Sequence, residues 1–229
     1  MKDLAVIETI LRNRYHFFTE IRDGVGLNEK IRAMLISSAI FFAIYGAVLG
    51  STHSLWQALS SAVKLPVLFL ATLIICAPTL YFFNVLYGSN QSLTQNIALI
   101  LTAITVTSVL LLSFAPIVLF FLLTTSHYQF FKLLNVGVMA ITGGIGVLFL
   151  SQGMRIVSAA GKEGAGARRN VMRLWVLIYA FVGSQMAWTL RPFIGAPSMK
   201  FELFRQLGGN FYANIFASIG EVLGFFMVK

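Results

Sequence analysis

Five stretches of this 229-residue chain are apolar over a length that crosses a bilayer, and no other feature narrows its fold as far. A membrane-spanning helix needs about 20 mainly apolar residues to cover roughly 30 Å of hydrocarbon, with every backbone hydrogen bond made internally. The stretches run over about 33–50, 65–87, 96–125, 130–151 and 174–190. The second has Pro66 in its expected first turn, where proline is tolerated, and Pro78 inside. The third, about 45 Å long if wholly helical, exceeds a perpendicular crossing, so tilt or a kink at Pro116 is expected. The fourth carries Gly137, Gly143, Gly144 and Gly146. A sixth candidate, 211–228, is interrupted by Asn214, Ser218, Gly220 and Glu221, and is read as a crossing, an interfacial helix or a segment packed back on the bundle. The expected fold is all-α: a polytopic membrane helical bundle of five or six transmembrane helices, preceded by an N-terminal amphipathic interfacial helix. Residues 1–32, 33–190 and 191–229 divide it into a cytoplasmic segment, a five-span domain and a non-cytoplasmic segment rich in Pro, Gly and aromatics.

Composition agrees. With 58% hydrophobic and 11% charged residues and a mean hydropathy of +0.82, too little polar material remains to cover a soluble core. An ordinary soluble enzyme is thereby excluded. Cys76, the one cysteine, rules out an intrachain disulfide, a CxxC pair and a Cys-rich zinc site, and between Ile75 and Ala77 it reads as a small hydrophobe. No apolar signal core follows Met1-Lys2-Asp3-Leu4, so the N-terminus is expected to be mature as written.

The formal charge of +9 turns on placement. Lys and Arg near span ends are retained on the cytoplasmic side. With the N-terminus inside, that side holds Lys2, Arg12, Arg14, Arg22, Lys30, Arg32, Arg155, Lys162, Arg168, Arg169 and Arg173. The other holds Lys64, Lys132, Arg191, Lys200, Arg205 and Lys229. Eleven against six predicts N-inside, in a bacterial plasma membrane or a thylakoid. The basic, Gly-rich loop 161–170 fits neither a Walker A loop nor a dinucleotide fingerprint. Its Lys162, Arg168 and Arg169 read as retention charges that touch lipid headgroups or a partner. Spread over loops and span ends, the positive charge implies membrane lipid as a partner and no nucleic acid.

Along 3–22, Leu4, Ile7, Leu11, Phe17, Phe18 and Ile21 fall largely on one helical face, with Glu8, Arg12, Glu20 and Arg22 elsewhere. The segment is expected along the cytoplasmic membrane surface or against the bundle, ended by Gly24 and Gly26. In it, Arg14, Phe17, Phe18, Ile21, Gly24 and Leu27 describe a helix with paired large apolar residues and an Ile, a terminal Gly and a following Leu. This spacing resembles the WH2 actin-binding motif, as in cyanobacterial membrane proteins given a WH2-type label. The resemblance implies a helix that enters a cleft of monomeric actin and continues as a basic tail. Here Asn28-Glu29 stand where basic residues belong, Lys30 comes only afterwards and a span follows, so the membrane-surface reading is preferred to actin binding.

Catalytic signatures are missing. His16, His53 and His127 are far apart, and HExxH, GxSxG and paired intramembrane acids are all absent from the sequence. The five stretches contain no Asp or Glu, with Lys64 and Lys132 at their edges, which argues against a charge-coupled transporter. No enzyme activity and no cofactor are expected. The polar residues inside, among them Ser37, Ser38, Asn84, Thr102, Thr105, Thr107, Ser108, Ser113, Asn135 and Thr142, read as interhelical glue or hydroxyls bonded within their own helix. Ala140 and Gly144 offer a small-xxx-small helix contact. Glu221 is expected to pair with Arg191 or Arg205 or to stay a free interfacial carboxylate. After the fifth stretch, Arg191, Pro192, Phe193, Gly195 and Pro197 form a constrained segment that reads as a lid over the bundle's outer end.

The second-span prolines, the polar turn 87–95, the Thr/Ser-rich third span with Pro116 and the Gly-rich fourth together make residues 64–153 resemble the Yip1-type membrane domain. That family implies an N-inside, five-span scaffold without catalysis. The expected function is a non-enzymatic scaffold or organising subunit of a membrane complex, with other membrane proteins or a second copy as partner. The alternative is a small-molecule permease or a subunit of one, for which a polar cavity at mid-membrane, lined by Asn84, Thr105, Ser113 or Asn135, would be the mark.

Overall fold

One glutamine ties the start of the central helix to the N-terminal segment. Ser92 and Gln95 form a capping box: Gln95 N donates to Ser92 Oγ (3.1 Å) and Ser92 N donates to Gln95 Oε1 (2.8 Å). The amide nitrogen of the same Gln95 donates to the carbonyls of Ile21 (3.1 Å) and Arg22 (2.8 Å), which end the second helix and lack partners within it. The computed structural model describes residues 2–51, 53–86, 91–125, 127–158, 165–195, 201–205 and 208–223. These form α1 (Lys2–Arg12), α2 (Arg14–Arg22), α3 (Leu27–Gly50), α4 (Leu55–Leu86), α5 (Leu93–Thr124), α6 (Tyr128–Val157), α7 (Ala165–Thr189) and α8 (Phe211–Val222), with no strand among the described residues. Five of them, α3 to α7, are long and apolar enough to cross a membrane.

The N-terminal helix is two helices, not one. The chain breaks at Asn13, which rotates the buried face: Ile7, Ile10, Phe17, Phe18 and Ile21 point inward, while Leu4 and Leu11 lie exposed. Gly24 (φ +77°) and Gly26 (φ +61°) take the left-handed conformation that lets the chain reverse from α2 into α3. α1 then packs on α3 and α5, and α2 on α6 and α5, so the segment lies against the bundle.

α5 is the hub. It touches α3, α4 and α6, and residues 98–108 are buried on every face, as an all-round apolar helix requires. α3 and α4 form a tight hairpin whose closest approach is at Gly46 and Gly50. A Cβ on Gly46 would strike the carbonyl of Ser61, and one on Gly50 that of Gln57. α6 meets α5 in the same way through Gly146, whose Cβ would lie 2.7 Å from Ala103 O and collide with Thr107 Oγ1. The expected Ala140–Gly144 contact is not formed: both residues face outward, and nothing lies within 4 Å of a Cβ on Gly144. The small-residue seams are set instead by which face the neighbouring helix takes.

Several boundaries also move. α4 begins at Leu55, so Pro66 is an interior proline and Lys64 is not at an edge but buried in the third turn. α5 runs unbroken through Pro116. The basic stretch 161–170 is not all loop, because α7 starts at Ala165 and carries Arg168 and Arg169 in its first turns. Only 6% of α7's most apolar window is buried, against 50% for α3, so α7 is the peripheral span. It is held to α4 by Trp175, whose indole N–H donates to Cys76 O (2.9 Å). The described part of α8 is 12 residues, about 18 Å, shorter than a crossing.

Candidate functional site

The chain leaving α7 folds back over one end of the bundle, here called the far end. Its backbone is caught by the polar residues of α4's first turns. Gln57 Nε2 donates to Pro192 O (2.9 Å), and Ser61 Oγ donates to Phe193 O (2.6 Å). Lys64 Nζ donates to Pro192 O (3.4 Å) and to Leu203 O, and stands 4.8 Å over the ring of Phe204. Gly195 lies so close to His53 that no side chain fits there. Arg191, Pro192, Phe193 and Gly195 are thus brought together against α4 and His53, while Pro197 lies outside the described residues.

Beneath the lid is a cleft of about 160 Å³ between α4, α6, α7 and the start of α8. Leu49, Leu65, Leu68, Val136 and Met139 form apolar walls, and Asn135, which accepts from Tyr45 Oη (2.9 Å), lies at its floor. Its lining includes Lys132, Arg191 and Arg205 and no acid among the described residues. Arg191 stacks 3.5 Å from the Trp188 ring centre and donates through Nη2 to Gly208 O (3.2 Å). Burial, and then the positive charge of Arg205, lower the Arg191 pKa, although a guanidinium remains charged in proteins. Arg205 pairs with Glu202 at 3.5 Å, and its backbone N–H donates to Arg191 O (3.2 Å). Lys132 donates to Asn214 of α8 (2.9 Å). Glu221 is exposed and acts electrostatically on Lys132.

No family model, curated protein or solved structure matches this chain.

At the opposite, near end, the WH2-like residues do gather in space. Arg14 lies over the Phe149 ring (6.0 Å), but Phe17, Phe18 and Ile21 are fully buried, and Leu27 packs on the core. Phe18 sits against Gly153 of α6, where a Cβ would come within 2.5 Å of its ring. A groove of about 500 Å³ between α1, α2 and α3 is lined by Glu20, Glu29, Lys30 and Arg32. In it Lys30 pairs with Glu20 at 3.3 Å, and His16 meets the same carboxylate at 3.3 Å. The α4–α5 and α6–α7 connections meet at this end too, since Gln91 Nε2 donates to Ser158 Oγ (2.6 Å). Lys162 and the side chains of Arg168 and Arg169 lie outside the described residues.

Among the described residues no three His, Cys, Asp or Glu side chains form a metal-binding group. Sequence reasoning placed Arg191 to Gly195 in the lid but did not see that Lys132 and Asn135, from α6, face it. Only the helical register of α6, four and seven residues after Tyr128, could have hinted that both lie near that end.

Proposed function

We propose that this chain is a non-enzymatic scaffold or organising subunit of a membrane complex, the role the Yip1-type resemblance implies. The observation that carries this reading is that the threonine hydroxyls and most amides inside the spans bond one another or their own helices, while Asn96 Nδ2 and Tyr179 Oη have no partner among the described residues. Asn135 receives Tyr45 and donates to Phe131 O (2.7 Å), and Asn84 donates to Asn96 (3.2 Å). Thr102, Thr105, Thr107 and Thr142 each return their hydroxyl to the carbonyl four residues earlier, at 2.8 to 2.9 Å. A permease keeps such groups for its substrate or for water; here they serve the helices. Of the four residues named as the mark of a permease, Asn84, Thr105 and Ser113 line neither the far-end cleft nor the near-end groove; Asn135 does line the far-end cleft, with its amide bonded to Tyr45 and Phe131. The exposed flank of α7 supplies apolar surface for a neighbouring membrane protein or a second copy.

Accessibility separates scaffold from permease. Cys76 is buried, so a Cys76→Ala chain with Thr105→Cys or Ser108→Cys is a clean reporter. In intact membranes neither cysteine is expected to react with a water-soluble maleimide from either side; labelling of both would establish a wet path and end the scaffold reading. Crosslinking in the membrane, followed by purification in mild detergent, should then yield a defined assembly larger than the 25.3 kDa chain.

The same reading places the near end in the cytoplasm of a bacterium, at the plasma membrane or a thylakoid. Arg12, Arg14, Arg22, Lys30, Arg32, Arg155 and Arg173 belong to the elements that meet at that end, and such charges are retained inside. A Glu163→Cys probe should be shielded from an impermeant reagent in intact cells, and a Gly208→Cys probe labelled. The opposite pattern would invert the orientation.

A further inference from the structure

We propose that the far-end cleft is a binding site for one anionic glycerophospholipid, with its phosphodiester held by Arg191, Arg205 and Lys132 and a stretch of acyl chain against the apolar walls. The proposal goes beyond the scaffold role and holds whether or not a complex is organised.

Four observations point to this occupant. The cleft lining holds Lys132, Arg191 and Arg205 and no acid among the described residues; Glu202 on Arg205 and Glu221 near Lys132 lie outside the lining and offset part of this charge, leaving a net positive field that favours an anion. Arg191 and Arg205 line the same cleft and are joined at the backbone, Arg205 N donating to Arg191 O (3.2 Å), which brings two guanidinium groups to one site. The same lining includes Leu49, Leu65, Leu68, Val136 and Met139, which offer nothing to a free phosphate but suit hydrocarbon. Trp188 lines the same cleft, and its buried indole N–H has no acceptor among the described residues. At the ester level of a bilayer an indole N–H finds an acceptor in a lipid carbonyl or phosphate oxygen.

Size argues against a soluble metabolite. Enclosed small-molecule pockets run from roughly 300 to 1,000 Å³, and at about 160 Å³ this cleft takes only part of a chain. The rest of a lipid would lie along the exposed apolar surface outside. Guanidinium groups bind a phosphodiester in bidentate fashion, and Lys132 adds a point charge from the facing helix.

Trp188 supplies the readout. The full chain is placed in nanodiscs of phosphatidylcholine with increasing brominated phosphatidylglycerol, and the fluorescence due to Trp188 is taken as the difference between the wild type and Trp188→Phe. Quenching is expected to saturate at a low mole fraction of the anionic lipid, and brominated phosphatidylcholine should give only a gradual, non-saturating loss. Equal quenching by the two lipids would overturn the proposal, because it describes bulk bilayer contact; this comparison needs no cation variant to fold. In an Arg191→Gln, Arg205→Gln chain the apparent affinity should fall about 30-fold, two cations' worth at an anionic membrane surface. Unchanged affinity would overturn the assignment to these residues. Excess inorganic phosphate should leave the quenching in place; displacement by it would mark a plain anion site and overturn the lipid.

Discussion

Leucine in place of Gly46 is expected to prevent the α3–α4 hairpin from closing, with a loss of roughly 3 kcal/mol or more and a fall in melting temperature of roughly 6–12 °C in detergent. The magnitude follows from what the side chain meets. A Cβ alone would touch Ser61 O, lie 2.8 Å from Ser61 C and 3.1 Å from Ala62 Cα, all of them backbone atoms that cannot rotate away. Gly50, one turn on, meets the backbone of Gln57 and Ala58 in the same way. The pair forms a GxxxG seam in which two helix backbones touch, the arrangement that replaces hydrophobic driving force inside lipid. Gly46→Ala should show part of the loss, whereas Gly137→Leu should melt like the wild type, since Gly137 is exposed with nothing within 4 Å. A Gly46→Leu chain with unchanged melting would mean that α3 and α4 do not approach this closely.

The second large effect concerns Lys64. With Met at this position the lid should open far more readily: backbone amides in 191–205 are expected to exchange about 30-fold faster, with little change elsewhere in the chain. Lys64 is 95% buried and bonds Pro192 O and Leu203 O, thus joining two separate stretches of the lid to α4. Hydrogen bonds from a charged donor contribute about 1.5–3 kcal/mol, and the Phe204 ring adds roughly 0.5–2 kcal/mol. Global melting is the wrong readout, because replacing a buried cation by an apolar side chain of similar length also removes its desolvation cost. Local exchange isolates the carbonyls that lose their donor. Wild-type exchange rates in Lys64→Met would show that Gln57 and Ser61 hold the lid without help.

The five spans were legible because lipid imposes a length and an apolarity that no loop satisfies. Their ends were not. Gln57, Ser61 and Lys64 precede the apolar stretch that begins at 65, yet they are buried first turns of its helix, bonded to carbonyls more than a hundred positions away. The Ala140–Gly144 and Gly46–Gly50 pairs share the same spacing, and only the packing shows that the second is a seam and the first faces outward. The lid announced itself through its crowd of Pro, Gly and aromatic residues. Its partners did not, since Lys132 and Asn135 look like ordinary positions in an apolar helix until α6 is set across the cleft from the chain leaving α7.

The seat of α2 on α6 imposes an order on biosynthesis. Phe17, Phe18 and Ile21 leave the ribosome before any of the five spans, but the Gly153 surface that receives Phe18 emerges only after three of them, near the end of the fourth. During that interval three large apolar side chains have no protein to cover them, and the adjacent membrane surface is the shelter within reach. A nascent chain halted before α6 is therefore expected to display this helix to chaperones and proteases. Docking of α2 would then act as a completion mark, distinguishing chains whose fourth span has been inserted from those that stalled.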